Sequence, residues 1–356
     1  MKLQTKLLKE MVSKSIKGAG MNNLIPITQM MCIECKNKEL TLITTDASNY
    51  LYITEGVDSE DFNVTVPVEI FSRLIARITS ETVSLELKDS SLEVIADGTY
   101  NIELPLNESG ELVSYPNPLS DFSDKGTEEA EIELSTIKCL LNTVKPALAT
   151  TLEIPCYTAY YIGDRAVGTD SYKITSIPVK LFDEPMLISQ DTMNVLDVFD
   201  SKTIDVYYKD NTLVFSSPNV SVYGHPFEGV ADFPIEPISN LIDTEFENTV
   251  KLPKNSLLQT LDRLALFVGA YDKNAVTLTF TDKALQISSK ASTGIESIEY
   301  LSKETSNNFT CEIDIEMFIT QLKAQTGDTV EVHYGLPNAI KMIDNDTIQI
   351  VALLES

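Results

Sequence analysis

"TVSLELKDSSLEVIADGTYNIELPL", residues 82–106, alternates apolar and polar residues, breaks at the polar turn Lys88-Asp89-Ser90, then alternates again. A period of two on both sides of a turn is the signature of a strand hairpin or meander with one buried face. The chain writes the pattern twice more, as "TIDVYYKDNTLVFSSPNVSVYGHPF" and "TVEVHYGLPNAIKMIDNDTIQIVAL". The three copies start at Thr82, Thr203 and Thr329, 121 and 126 residues apart. A helical pattern precedes each: "PVEIFSRLIARIT", "SQDTMNVLDVFD" and "DIEMFITQLKAQTG". Upstream lie three more strand pairs, "CIECKNKELTLITTDASNYLYI", "YTAYYIGDRAVGTDSYKITSI" and "VTLTFTDKALQISSKASTG". Each of these follows an amphipathic helix: "TKLLKEMVSKSIKG", "LSTIKCLLNTVKPALA" and "PKNSLLQTLDRLALFVG".

Every copy therefore reads helix, strands, helix, strands, a repeat made of two similar halves. The expectation is an α+β protein with antiparallel sheets, in three domains covering 1–124, 125–245 and 246–356. Residues 107–131 and 227–248 are rich in Pro and acidic residues and read as the linkers between domains.

Composition narrows the function. No apolar run approaches the ~20 residues of a membrane span, and the first residues lack an apolar stretch followed by a cleavage site, so a cytoplasmic location is the default. The five cysteines are scattered and odd in number, which suits a reducing compartment. Cys32 and Cys35 form a CxxC, but a tetrahedral metal site needs two more ligands and His225 and His333 stand alone, so no metal is expected. Neither a phosphate-binding G-x-x-x-x-G-K-[ST] nor a G-x-S-x-G is present. Asp46 in "TTDAS" and Asp170 in "GTDSY" sit at matching repeat positions, and the third copy carries Lys290 there. A repeat explains that spacing better than a catalytic carboxylate pair. A non-enzymatic protein without a cofactor is the expectation.

Net charge is −26, which repels nucleic acid unless positive charge is gathered locally. At ~100° per residue, Lys6, Lys9, Lys14 and Lys17 of the first helix share one ~140° arc, opposite Leu7, Leu8, Met11, Val12 and Ile16. Arg73 and Arg77 sit one helical turn apart, and Lys138 and Lys145 two turns apart. Cations on helices against acids in loops suit sequence-independent contact with a phosphate backbone. An acidic protein that mimics DNA and occupies nucleic-acid enzymes is the alternative.

The motif "VGTDSYKIT" resembles the Thr-Asp-Gly-His-Arg-Leu element of bacterial sliding clamps, the β subunit of DNA polymerase III. "LITTDASNYLYI" resembles that family's first-domain Thr-Asp strand, and "IQIVALLES" resembles its C-terminal strand. The resemblance spans the whole chain and implies three clamp domains, with two chains closing head to tail as a ring around duplex DNA. It implies a replicative polymerase and an ATP-dependent loader as partners, and no chemistry by the ring itself; a bacteriophage-encoded member would fit the divergence. Carried over, the partner-peptide pocket comprises Tyr157, Thr169, Ser171, Tyr172, Lys173, Ile174, Pro234, Ile238, Ile350, Ala352, Leu353 and Leu354. The dimer interface comprises Ile102 and Leu104 with Leu266 and Phe267, and Lys6, Lys9, Lys14, Lys17, Arg73, Arg77, Lys138 and Lys145 face DNA. Departures from the family pattern are Ser171-Tyr172-Lys173 for Gly-His-Arg, Leu353 for the expected Pro, and Glu355 for the C-terminal Arg.

Overall fold

The computed structural model describes residues 1–20, 22–121, 128–289, 293–304 and 308–354. The boundary at 124/125, Lys290 and Glu355 therefore lie outside the described residues. All three copies of the opening pattern form the expected antiparallel ladders. Leu85 faces Val94, Val206 faces Phe215 and Val332 faces Met342, each pair three residues into its repeat. All six of these side chains are buried, as period two demands.

By contact the chain divides into two compact units: 1–137 with 191–226, and 138–190 with 227–356. The reason is sheet continuity, because inter-strand pairing runs across the expected domain boundaries. In the first unit, Tyr50–Gly56 pairs with Val220–Gly224, which fuses two sets of four strands into one eight-stranded sheet. In the second, Lys173–Ile177 pairs with Thr347–Ala352 inside a nine-stranded sheet. Each unit also holds a four-stranded sheet. One runs Lys2–Gln4, Thr82–Lys88, Ser91–Ile95, Thr99–Glu103; the other runs Ile295–Glu299, Ala284–Ser289, Ala275–Phe280, Phe309–Asp314.

Helices cover these sheets in pairs. Thr5–Ser15 packs on Val68–Arg77 in the first unit, and Lys254–Leu264 packs on Ile315–Lys323 in the second. The first helix buries Leu8, Met11 and Val12 as the arc requires. Ile16 is exposed, because the backbone tightens to a 3₁₀ turn over Ile16–Gly18 and leaves the ~100° spacing. One expected linker is not irregular. Residues Ile235–Asp243 form a helix whose Ile238 and Ile242 are buried one turn apart, an i, i+4 signal visible in the sequence. Among the described residues, no helix is long and apolar enough to cross a membrane.

Candidate functional site

The turn in "GTDSYK" explains why a strand pair is interrupted by Thr, Asp and an aromatic. Thr169 Oγ1 accepts the Ser171 N–H at 3.2 Å, and Asp170 Oδ1 accepts the N–H groups of Tyr172 and Lys173 at 3.0 and 2.9 Å. The other carboxylate oxygen holds the Lys173 ammonium. A short acceptor at this point substitutes for strand partners while the chain reverses. Ser171 sits at φ 80°, the left-handed region where the family pattern has Gly, and its neighbours' hydrogen bonds hold it there. The first repeat builds the same turn: Asp46 Oδ1 accepts the N–H groups of Ser48 and Asn49 at 2.8 and 2.6 Å, with Ala47 at φ 82°. Both aspartates are turn formers.

Beside the second turn lies an apolar cluster, wholly within the second unit. It brings together Tyr157, Ile174, Ile238 and Ile350 of the expected pocket. Ile174 and Ile350 face each other across the strand pair, and the Ala352 N–H donates to the Tyr172 carbonyl at 2.8 Å, closing the last strand against the turn. Tyr172, in the adjoining turn, is 61% exposed, Thr169 is buried, and Pro234 leads into the linker helix. Phe233 was not among the expected residues, yet it ties the linker to the cluster. Its ring stacks on Tyr161 at 4.8 Å and meets Tyr157 edge-on at 6.1 Å. A lone aromatic among prolines and acids was the available signal.

Leu353 and Leu354 do not join this cluster. The strand ends at Ala352, after which the Leu353 N–H turns to Asn338 and the Leu354 N–H to Glu312. These two leucines line a separate cavity of about 440 Å³ with Phe309, Cys311 and Pro337.

The cations divide. Lys6 and Lys9 make no ion pair among the described residues, and Lys9, Arg73 and Arg77 line one open groove of about 570 Å³ between the two helices of the first unit. Lys138 is exposed, and Lys145 is half-buried. Lys14, Lys17 and Arg73 are paired with acids, with Asp200 at 2.7 Å, Asp197 at 3.4 Å and Glu69 at 2.8 Å. The Lys14 ammonium hydrogen-bonds Asp200 and holds its carboxyl below the ordinary carboxylate range. The folded pKa therefore lies below the unfolded one, so the pair's contribution is present above about pH 4 and lost as pH falls through the folded value. The pair lies at the surface, with Asp200 exposed and Lys14 partly buried, which keeps that contribution to ~1 kcal/mol or less. Asp200→Asn should lower the melting temperature slightly at pH 7, and the gap to the unaltered protein should close in thermal denaturation as pH falls through the carboxyl's lowered folded value.

The expected interface residues also divide. Leu266 and Phe267 are 82% and 52% exposed. Ile102 and Leu104 are 2% and 6% exposed in their own unit, where Ile102 faces the buried Leu92 across the hairpin; on the same strand face, two residues earlier, Tyr100 is exposed. These two are corrected from interface to core.

No family model and no curated protein matches the sequence. Solved structures do. The β subunit from DNA polymerase of Streptococcus pyogenes superposes with a TM-score of 0.88 at 18% identity, covering 100% of this chain and 99% of that one. A DNA polymerase sliding clamp from Bacillus subtilis gives 0.86 at 16%, over 100% and 98% of the two chains. The DNA polymerase III β subunit from Thermotoga maritima gives 0.84 at 17%, over 100% and 99%. The chain has, over its full length, the fold of the DNA polymerase III β subunit, the sliding clamp.

Proposed function

We propose that this protein is a sliding clamp: two chains, each of three repeats (1–124, 125–245, 246–356), close head to tail around duplex DNA and hold a replicative polymerase on it. An ATP-dependent loader opens the ring, and the groove at Tyr172 receives the short peptides by which polymerase and loader attach. Lys6, Lys9, Arg73, Arg77 and Lys138 supply loose phosphate contacts that permit sliding.

One observation supports this reading above the others: the chain's two internal strand junctions obey one rule, and a single pair of edges is left to obey it between chains. Val222 faces Leu51 at the first junction, and Gln349 faces Thr175 at the second. By position in the hairpin, Val222 and Gln349 correspond to Tyr100, since these face Phe215, Met342 and Val94. By the same reasoning Leu51 and Thr175 correspond to Ile295, since these face Thr44, Gly168 and Ser288. Thr99–Glu103 and Ile295–Glu299 are terminal strands of their sheets, and their exposed apolar side chains are Tyr100 and Ile295. The rule pairs Tyr100 of one chain with Ile295 of its partner and Thr99 with Glu296, which covers two strand edges otherwise open to aggregation.

The double variant Tyr100→Cys, Ile295→Cys tests this. Oxidation should give a covalently closed dimer. Closed in the presence of circular duplex DNA, a fraction should stay bound through high-salt washing and be released when the DNA is linearised. A monomer after oxidation, or a salt-resistant fraction indifferent to linearisation, would count against the ring.

A further inference from the structure

We infer that the groove beside Tyr172 selects peptides whose apolar anchor is flanked by lysine or arginine rather than by acids. The inference rests on the reading of that groove as the partner site and specifies its occupant. Residues 227–248, which form one wall through Phe233 and Ile238, carry six acids and no lysine or arginine. Glu228, Asp232 and Glu236 are exposed, flank Phe233 and Pro234 in the chain, and make no ion pair among the described residues.

Four described cations of the neighbouring strands and loops are engaged elsewhere. Lys173, at the lip, is held by Asp170, whose other oxygen is occupied by backbone N–H groups. Lys341 is buried behind the linker helix, donating to the carbonyls of Ile242 and Thr244 at 3.1 and 2.7 Å, with its ammonium over the Phe246 ring. Lys180 reaches Asp164 at 3.7 Å. Arg165 bonds Ser176, at the far end of the strand that begins at Lys173.

The site so read combines a buried apolar cluster with exposed acids on the linker beside it. Apolar burial supplies affinity without regard to sign, so the linker acids decide which flanking charges are accepted. Phosphate is repelled by the same acids, which assigns the site to protein rather than to DNA.

The test uses two fluorescent peptides with one Leu-Phe anchor, one flanked by lysines and one by glutamates, titrated into the full-length protein and read by anisotropy. At about 0.05 M salt the lysine-flanked peptide should bind ~10-fold tighter, and at about 0.5 M salt the two should agree within ~2-fold, because screening removes attraction to the acids but leaves the anchor. The triple variant Glu228→Gln, Asp232→Asn, Glu236→Gln should erase the low-salt preference, and Tyr172→Ala should weaken both peptides alike. Equal binding at low salt, or tighter binding of the glutamate peptide, would overturn the charge selection and leave the groove standing. Binding of the lysine peptide that ignores Tyr172→Ala would reveal surface adhesion and overturn it as well. Failure of both peptides to bind would overturn the groove reading itself.

Discussion

Proline in place of Thr99 is expected to separate the proposed dimer into folded monomers. At the first internal junction the Thr54 N–H donates to Asn219, and Ser221, two residues on, points its backbone the same way. Thr99 holds the Ser221 position in its own hairpin, facing Ile95 as Ser221 faces Ser216. Its N–H is therefore directed at the partner rather than into its own sheet. Proline removes that donor and fills the space beside it, a change that edge strands tolerate within their own fold. Loss of one or two backbone bonds at about 1 kcal/mol each, together with the clash, predicts a dissociation constant raised ~30-fold or more. Sedimentation or light scattering across a dilution series measures it, with circular dichroism to check the monomer's fold. An unchanged dimer would place the interface elsewhere.

The second large effect belongs to Phe233. It is 4% exposed, and its ring contacts both Tyr157 and Tyr161 in the apolar cluster. Phe233→Ala removes a fully packed ring, which costs ~3–5 kcal/mol at well-packed sites. The linker helix loses its first anchor, so peptide binding should fall with stability, by ~100-fold or to below detection. Phe233→Leu should recover more of the stability than of the binding, since leucine refills volume but cannot stack on Tyr161. Urea denaturation and calorimetric peptide titration on the same variants separate the two. Full binding by Phe233→Ala would move the site away from this ring.

Local pattern carried a great deal. Period two, polar turns and helical spacing are imposed by each segment's need to bury one face, so the hairpins at Thr82, Thr203 and Thr329 and the helices ahead of them were readable without coordinates. The Thr-Asp turn was legible for the same reason: its hydrogen bonds are to residues two and three positions away. Ile174, Ile238 and Ile350 were assigned to one groove by resemblance, and they do meet.

What escaped was set by partners distant in sequence. Lys14 and Lys17 lie on the basic arc in any helical projection, yet they are committed to Asp200 and Asp197, 186 and 180 residues away. Ile102 and Leu104 look alike as interface or core on paper, and the fold buries them while leaving Tyr100, on the same strand face as Ile102, exposed. Leu353 and Leu354 extend an apolar strand on paper, but two backbone bonds to Asn338 and Glu312 steer them to another cavity. The division into units follows the same logic. Sequence determined the repeats, because each is a local solution to burying an amphipathic pattern; the tertiary structure alone decided which strand edges join, because edge pairing is backbone bonding and carries almost no side-chain signature.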